Sequence, residues 1–93
     1  MLRISQQVPP TGRPVLLLEG RLVGPWVAEL RGAAAAAGGA ALVDLDLAGV
    51  TFADDHGVEV LRDLRGAGAR LVRASAFLAA LIGAEHGADR GVD

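Results

Sequence analysis

The sequence predicts a small α/β protein built on a four-stranded mixed β-sheet, in which the first strand is antiparallel and the other three are parallel. Strand-like and helix-like stretches follow one another in the order β-β-α-β-α-β-α, which is typical of this class. Parallel crossovers are right-handed in nearly all proteins. Strands that lie in sequence order would therefore place about three helices mainly on one face of the sheet.

The first half of the chain predicts a hairpin followed by a helix. Residues 2–8 alternate between apolar and polar side chains, as a half-buried edge strand does, and residues 15–19 form a short apolar run. The turn residues at 9–12 between these stretches favour a hairpin. Pro25 then introduces a helix over 26–37, because proline suits the first helical turn.

The second half of the chain repeats the strand–helix pattern. Residues 41–47 predict a strand whose odd-numbered positions are apolar, and residues 69–72 predict another. Asp44 and Asp46 lie on the opposite face of the first of these strands. We interpret them as residues that keep an open, partly wet sheet face in contact with water.

Two further helices complete the predicted fold. Apolar residues recur at helical spacing over 58–65, and Ser75 is a typical N-cap for a last helix. No linker divides the chain. We therefore expect one domain over 1–93, with an ordered core at about 2–84 and a tail at 85–93 that frays.

The composition excludes several classes of function. A net charge of −2 gives no basis for binding nucleic acid or an anionic membrane. No apolar run approaches the roughly 20 residues that span a bilayer, and there is no cysteine for disulfides or thiolate metal sites. Together with the absence of a signal-peptide pattern, these features predict a cytoplasmic protein without membrane insertion.

Catalysis is also disfavoured by the residues that the chain lacks. Lysine and tyrosine are absent as well as cysteine, although a P-loop requires lysine and a Schiff-base enzyme requires an amine. Serine occurs only at Ser5 and Ser75, and neither lies in a nucleophile-elbow sequence. We therefore predict that the protein is not an enzyme, with no catalytic residue and no cofactor.

Residues 52–57 join a predicted strand to the following helix. This segment, which we call the acidic corner, contains Asp54, Asp55 and His56 followed by Gly57. Junctions at the carboxyl ends of parallel strands commonly bind ligands and partners. The free N–H groups of a first helical turn also favour acidic side chains. The acidic corner is therefore the predicted functional surface.

Residues 46–58 carry a longer motif around the acidic corner. They read Asp-Leu-Ala-Gly-Val-Thr-Phe-Ala-Asp-Asp-His-Gly-Val, which resembles the pattern Asp-Leu-Ser-x-Val-x-Phe-x-Asp-Ser-Ser-Gly-Leu of the STAS domain family (sulfate transporter and anti-sigma factor antagonist). The resemblance extends over about 2–84, including the apolar strand that ends at Glu19-Gly20. It implies a STAS-like fold and a role like that of a stand-alone bacterial anti-sigma factor antagonist.

The resemblance also identifies Asp55 as a departure from the family pattern. In the antagonists of this family, a partner kinase that doubles as the anti-sigma factor phosphorylates a Ser or Thr at this position. Here no hydroxyl lies between Ala53 and Gly57, and Asp55 carries about one negative charge where a phosphoserine carries about 1.5 to 2. The resemblance therefore implies a phosphomimetic protein that lacks the phosphoswitch and regulates transcription or signalling by binding an anti-sigma factor or serine-kinase-type partner.

The predicted partner-binding surface combines the acidic corner with the helix face that follows it. Its residues are Asp54, Asp55, His56, Gly57, Val58, Glu59 and Arg62. Two other interpretations of these residues remain open. In the first, the two aspartates cap the helix and have no other role. In the second, they bind a divalent ion together with His56 and Glu59. Side chains at a helix start usually diverge, so we predict no metal site.

Two alternatives concern the protein as a whole. STAS-like subunits also serve as soluble accessory components of lipid-transport ABC complexes, where they rest on the ATPase, and nothing in the sequence separates this role from the regulatory one. The predicted edge strand at 2–8 would in addition allow a homodimer.

Overall fold

A mixed β-sheet forms the centre of the molecule. The computed structural model describes residues 1–10 and 12–83, so the predicted fraying of 85–93 lies outside the described residues. The strands are β1 (Leu2–Gln7), β2 (Val15–Leu22), β3 (Asp44–Ala53) and β4 (Arg70–Val72), and they lie side by side in sequence order. β1 is antiparallel to β2, whereas β2, β3 and β4 are parallel to one another. The predicted mixed sheet is confirmed.

Three helices pack against this sheet, as the sequence predicted. They are α1 (Gly24–Ala36), α2 (Asp55–Gly66) and α3 (residues 76–83). α1 contacts β1 and β2, α2 contacts β3 and β4, and the two helices contact each other, so they share one face of the sheet. Within the described part of the chain, no helix is both long enough and apolar enough to cross a bilayer.

The core between sheet and helices is built mainly from leucine. In-register strand positions such as Leu16 and Leu45 point towards the helices, and Leu30 and Leu61 meet them from α1 and α2. Each of these side chains is at most 1% exposed, and full burial of a leucine contributes about 1.5–3 kcal/mol. Leucine therefore supplies the packing that the scarce aromatic residues do not.

The strand boundaries at the centre of the sheet differ from the sequence expectation. The third strand does not have the predicted bounds 41–47: Ala40–Leu42 is a short 3-10 helix, and β3 runs from Asp44 to Ala53. β2 likewise continues past residue 19 to Leu22. The two strands stay paired up to Leu22 and Ala53 because two register shifts absorb the extra residues of β3. The acidic corner therefore lies at the carboxyl ends of two strands that are longer than predicted.

Asp44 and Asp46 also depart from expectation, because they are not solvated. They are 8% and 7% exposed, although they lie on the sheet face that carries Arg70 rather than a helix. Asp44 forms ion pairs with Arg70 at 2.8 Å and with Arg13 at 2.9 Å, and Asp46 pairs with Arg73 at 2.6 Å. The arginines cover the carboxylates, so the two aspartates hold strands and loops together instead of keeping the face wet.

These ion pairs change the acidity of both aspartates. A hydrogen bond from the Arg70 guanidinium lowers the pKa of Asp44 below its ordinary range, although burial acts in the opposite direction. A hydrogen bond from Arg73 lowers the pKa of Asp46 in the same way. Both carboxyl groups therefore remain ionised under the arginines, as paired acids usually do.

Candidate functional site

The acidic corner lies where β3 ends and α2 begins, as the sequence predicted. Asp54 is the N-cap residue of α2, with an extended backbone (φ −85°, ψ −175°), and Asp55 is the first helical residue. The helix therefore begins earlier than the predicted 58–65. Because β2 is parallel to β3, α1 starts beside it, at the carboxyl ends of the same strands. Two helix N-termini converge here.

The Asp54 carboxylate binds both of these helix N-termini. Its Oδ1 atom accepts a hydrogen bond from the Gly57 N–H at 2.8 Å, and its Oδ2 atom accepts one from the Gly24 N–H at 3.0 Å. Val23, the N-cap residue of α1, supplies no side-chain cap of its own. One side chain therefore satisfies N–H groups that helix starts leave free.

The same contacts hold Asp54 in its ionised form. The hydrogen bond from the Gly57 N–H is the main reason why the pKa of Asp54 lies below its ordinary range, and the Gly24 N–H adds to the effect against the cost of burial. Both carboxylate oxygens are engaged and the residue is half-buried. The capping interpretation thus describes the role of Asp54.

Gly57 and Val58 lie beneath the surface of the acidic corner. A Cβ atom at Gly57 would collide with the Leu22 carbonyl oxygen, so only glycine lets the first turn of α2 approach the end of β2 this closely. Val58 is 6% exposed and packs into the core. These two residues position the corner and offer little side-chain surface to a partner.

Asp55, His56 and Glu59 are the predicted residues that face solvent. Asp55 occupies the first turn of α2, where the helix dipole favours a negative charge. Glu59 lies four residues further on, which places it on the same side of the helix. Asp55 and Glu59 therefore give the acidic corner and the adjoining helix face an exposed negative charge.

Arg62 joins α2 to α3. Its Nε atom donates a hydrogen bond to the Ile82 carbonyl oxygen at 3.1 Å, and its Nη2 atom donates one to the Leu81 carbonyl oxygen at 2.6 Å. These carbonyl groups belong to α3. Arg62 therefore fixes the distance between the two helices.

A groove between α2 and α3 adds two exposed aromatic side chains to the site. Phe52 is 40% exposed and Phe77 is 61% exposed, and the Arg21 guanidinium lies 4.8 Å from the centroid of the Phe52 ring. The groove encloses about 720 Å³. We call it the α2–α3 groove; it is lined by Phe52, Ala53, Asp54, Asp55, Val58, Glu59, Arg62, Phe77 and Leu81.

Phe77 and Leu81 were missed as site residues, although the sequence holds a signal for them. Apolar residues occupy positions 77, 78, 81 and 82, so two apolar pairs lie side by side at helical spacing. Leu78 and Ile82 fill the core, with 2% and 3% exposure. Phe77 and Leu81 form the adjacent stripe, which lines the α2–α3 groove.

A metal centre is not assembled at the acidic corner. In the part of the chain that the structure describes, no three His, Asp or Glu side chains come together in a way that could hold an ion. Asp54, the central residue of the hypothetical cluster, points its oxygens at two backbone N–H groups instead.

No protein-family model matches this sequence, and no curated protein matches it either. A fold alone does not determine function. The residues of the acidic corner and the α2–α3 groove are therefore the features that bear on function.

Proposed function

We propose that this protein is a non-catalytic interaction module of STAS type that binds another protein through the acidic corner and the α2–α3 groove. The observation that carries the proposal is the exposure of Phe52 and Phe77 beside the exposed carboxylates of Asp55 and Glu59. Aromatic side chains are enriched among residues that dominate binding energy. Exposed apolar surface rimmed by polar groups commonly marks an interaction site.

The partner that fits this surface carries both apolar and basic side chains. The apolar part would contact the Phe52 and Phe77 rings, and the basic part would lie against Asp55 and Glu59. Charge complementarity of this kind orients a partner and accelerates association more than it strengthens affinity. An anti-sigma factor or serine-kinase-type protein of a bacterial regulatory pathway is the partner that we propose, with both proteins in the cytoplasm.

Support for the STAS assignment comes from the motif at 46–58 and from a sheet with the element order that the motif implies. The Asp that directly precedes the phosphoacceptor position of the motif is Asp54 in this chain. Its two capping hydrogen bonds give a physical reason for an acid at that position. The following residue, Asp55, is exposed at the start of α2. A phosphorylated hydroxyl would be equally accessible there.

We infer that Asp55 fixes the protein in one binding state. The nearest hydroxyl, on Thr51, lies on the other side of Asp54 and donates a hydrogen bond to the Gly20 carbonyl oxygen at 3.2 Å. When the protein is mixed with a kinase encoded near it and with ATP, we expect no stoichiometric label between residues 48 and 60. Stoichiometric label in that segment would contradict the absence of a phosphoswitch.

The partner itself can be sought by affinity capture from the native cell with the wild type and Asp55→Ser side by side. Once a partner is identified, Asp55→Lys should weaken its binding at least about tenfold, because the change places a cation against a basic surface. Asp63→Lys is the matched control on the same helix, since Asp63 is exposed and its ion pair with Arg31 is a surface contact. Equal binding by wild type, Asp55→Ser and Asp55→Lys would refute the site.

A further inference from the structure

The outer strand β1 leaves one edge of the sheet open. β1 pairs with β2 along its whole length without a bulge, and its other side pairs with no segment among residues 1–10 and 12–83. It contains no proline, and Arg3 is its one charged residue. Natural proteins usually protect such edges with charges, prolines or bulges. The opposite edge, β4, is only three residues long.

The backbone of β1 shows which groups are free for a new strand. The Met1 carbonyl oxygen accepts a hydrogen bond from the Arg21 N–H at 2.9 Å, so Met1 directs its backbone groups towards β2. The direction alternates along an antiparallel strand. The N–H and C=O groups of Leu2, Ile4 and Gln6 therefore point outwards, away from β2.

We propose that two copies of this chain pair antiparallel through β1, with the twofold axis at Ile4. In this register Ile4 lies opposite Ile4 of the partner subunit, and Leu2 lies opposite the partner's Gln6. All of these residues direct their backbone groups outwards, so each pair exchanges two hydrogen bonds. An axis at Ser5 would instead place Ser5 opposite the partner's Ser5, and the backbone groups of both residues are already bonded to β2.

The side chains agree with this register on both faces of the joined sheet. On the open face, Arg3 lies opposite the partner's Ser5 and not opposite the partner's Arg3, so like charges do not meet. On the helix face, a groove of about 510 Å³ lies beside Ile4 and Gln6 under α1. α1 lines it with Glu29 and with four small residues, Ala28, Gly32, Ala33 and Ala36. The groove therefore has room for the partner's Ile4.

The proposal uses the edge of the sheet rather than the acidic corner, so it stands or falls independently of the partner-binding function. Its first test is sedimentation of the full chain from about 1 µM to about 1 mM. We expect a monomer–dimer equilibrium in this range. A wild type that remains monomeric at every concentration would overturn the proposal. This would hold even if β1 paired with a strand of another protein instead.

A proline scan separates the outward backbone groups from the inward ones. Gln6→Pro removes an N–H that points away from β2, so it should raise the dimer dissociation constant at least about tenfold while the monomer stays folded by circular dichroism. Gln6→Thr, which keeps the N–H, is the matched control and should change the constant by less than about threefold. A dimer as strong with Gln6→Pro as with Gln6→Thr would refute pairing through β1.

The register is tested by charge at Ser5, a residue on the exposed open face. With the axis at Ile4, Ser5→Glu places a carboxylate opposite the partner's Arg3 and should tighten the dimer about threefold or more, whereas Ser5→Arg should weaken it. With the axis at Ser5, both changes would bring like charges together and weaken the dimer. Weakening of the dimer by both changes would therefore overturn the proposed register. This test does not depend on whether Gln6→Pro folds.

Discussion

The Asp54 carboxylate accepts a hydrogen bond at 3.0 Å from the Gly24 N–H, although the two residues are 30 positions apart in the chain. Its other oxygen caps α2 through the Gly57 N–H. A single acid therefore fixes the starts of two helices relative to each other. Because Asp55 follows directly, the position of the exposed charge depends on these two hydrogen bonds of Asp54.

Replacing Asp54 tests that double capping role. We expect Asp54→Ala to lower Tm by about 5–15 °C, because one N-cap and one tether to α1 are lost together. Asp54→Asn should lower Tm less, since its amide oxygen can still accept one of the two hydrogen bonds. Thermal unfolding followed by circular dichroism measures both changes. Asp55→Ala, which removes an exposed acid, is the control, and a Tm loss as large as that of Asp54→Ala would contradict the assignment.

Gly57 and Gly66 form a matched pair of glycines within α2. A Cβ atom at Gly57 would collide with the Leu22 carbonyl oxygen, whereas nothing lies within 4 Å of a Cβ atom at Gly66. Gly57→Ala should therefore lower the free energy of unfolding by about 1–3 kcal/mol, as overpacking does. Gly66→Ala should leave it unchanged or raise it by up to about 1 kcal/mol. Urea denaturation compares the two, and equal losses would contradict the close contact.

Stability should also depend on pH through Asp44, Asp46 and Asp54. The folded protein lowers the pKa of each below the ordinary value of 3.8 through hydrogen bonds to the carboxylate. Their stabilisation is therefore present above the unfolded pKa and is lost as the pH falls through the lower folded pKa. We expect a constant free energy of unfolding above about pH 5 and a decline below about pH 4.

The Asp46→Asn variant tests the origin of this decline. It keeps an acceptor for Arg73 but removes one titrating group with a lowered pKa. Urea denaturation at pH 7 and at about pH 3 should show a smaller loss of stability for this variant than for the wild type. The same loss in both proteins would mean that other groups cause the decline.

The sequence allowed prediction of features that depend on neighbouring residues. The succession of strands and helices follows from the spacing of apolar residues, and the N-cap at Asp54 follows from an acid placed just before a helical stripe. The end of β3 was harder to predict, because Ala48 and Gly49 interrupt its apolar alternation. Gly49 is present there because a Cβ atom would lie 2.9 Å from the Leu18 carbonyl oxygen.

Contacts between distant residues could not be predicted from the sequence. Asp44 and Asp46 looked like solvated residues because nothing in the neighbouring sequence shows that Arg70, in β4, and Arg73, just after it, lie beside them. The tether from Asp54 to Gly24 depends in the same way on the pairing of β2 with β3. Strand register decides all three contacts.

The aromatic side chains of the α2–α3 groove give the sharpest test of the binding surface. Phe77 is 61% exposed, so Phe77→Ala removes little packing and should leave Tm within a few degrees of the wild type, at most about 4 °C. Its effect on an identified partner should be large, a loss of affinity of at least about tenfold, because exposed aromatic rings become buried anchors in complexes. Leu42→Ala is the matched control, since Leu42 is 57% exposed and does not line the groove. Titration calorimetry with the wild type and the two variants separates the outcomes. Equal affinity of Phe77→Ala and Leu42→Ala for the partner would place the interface away from Phe77, even if Asp55→Lys still weakened binding.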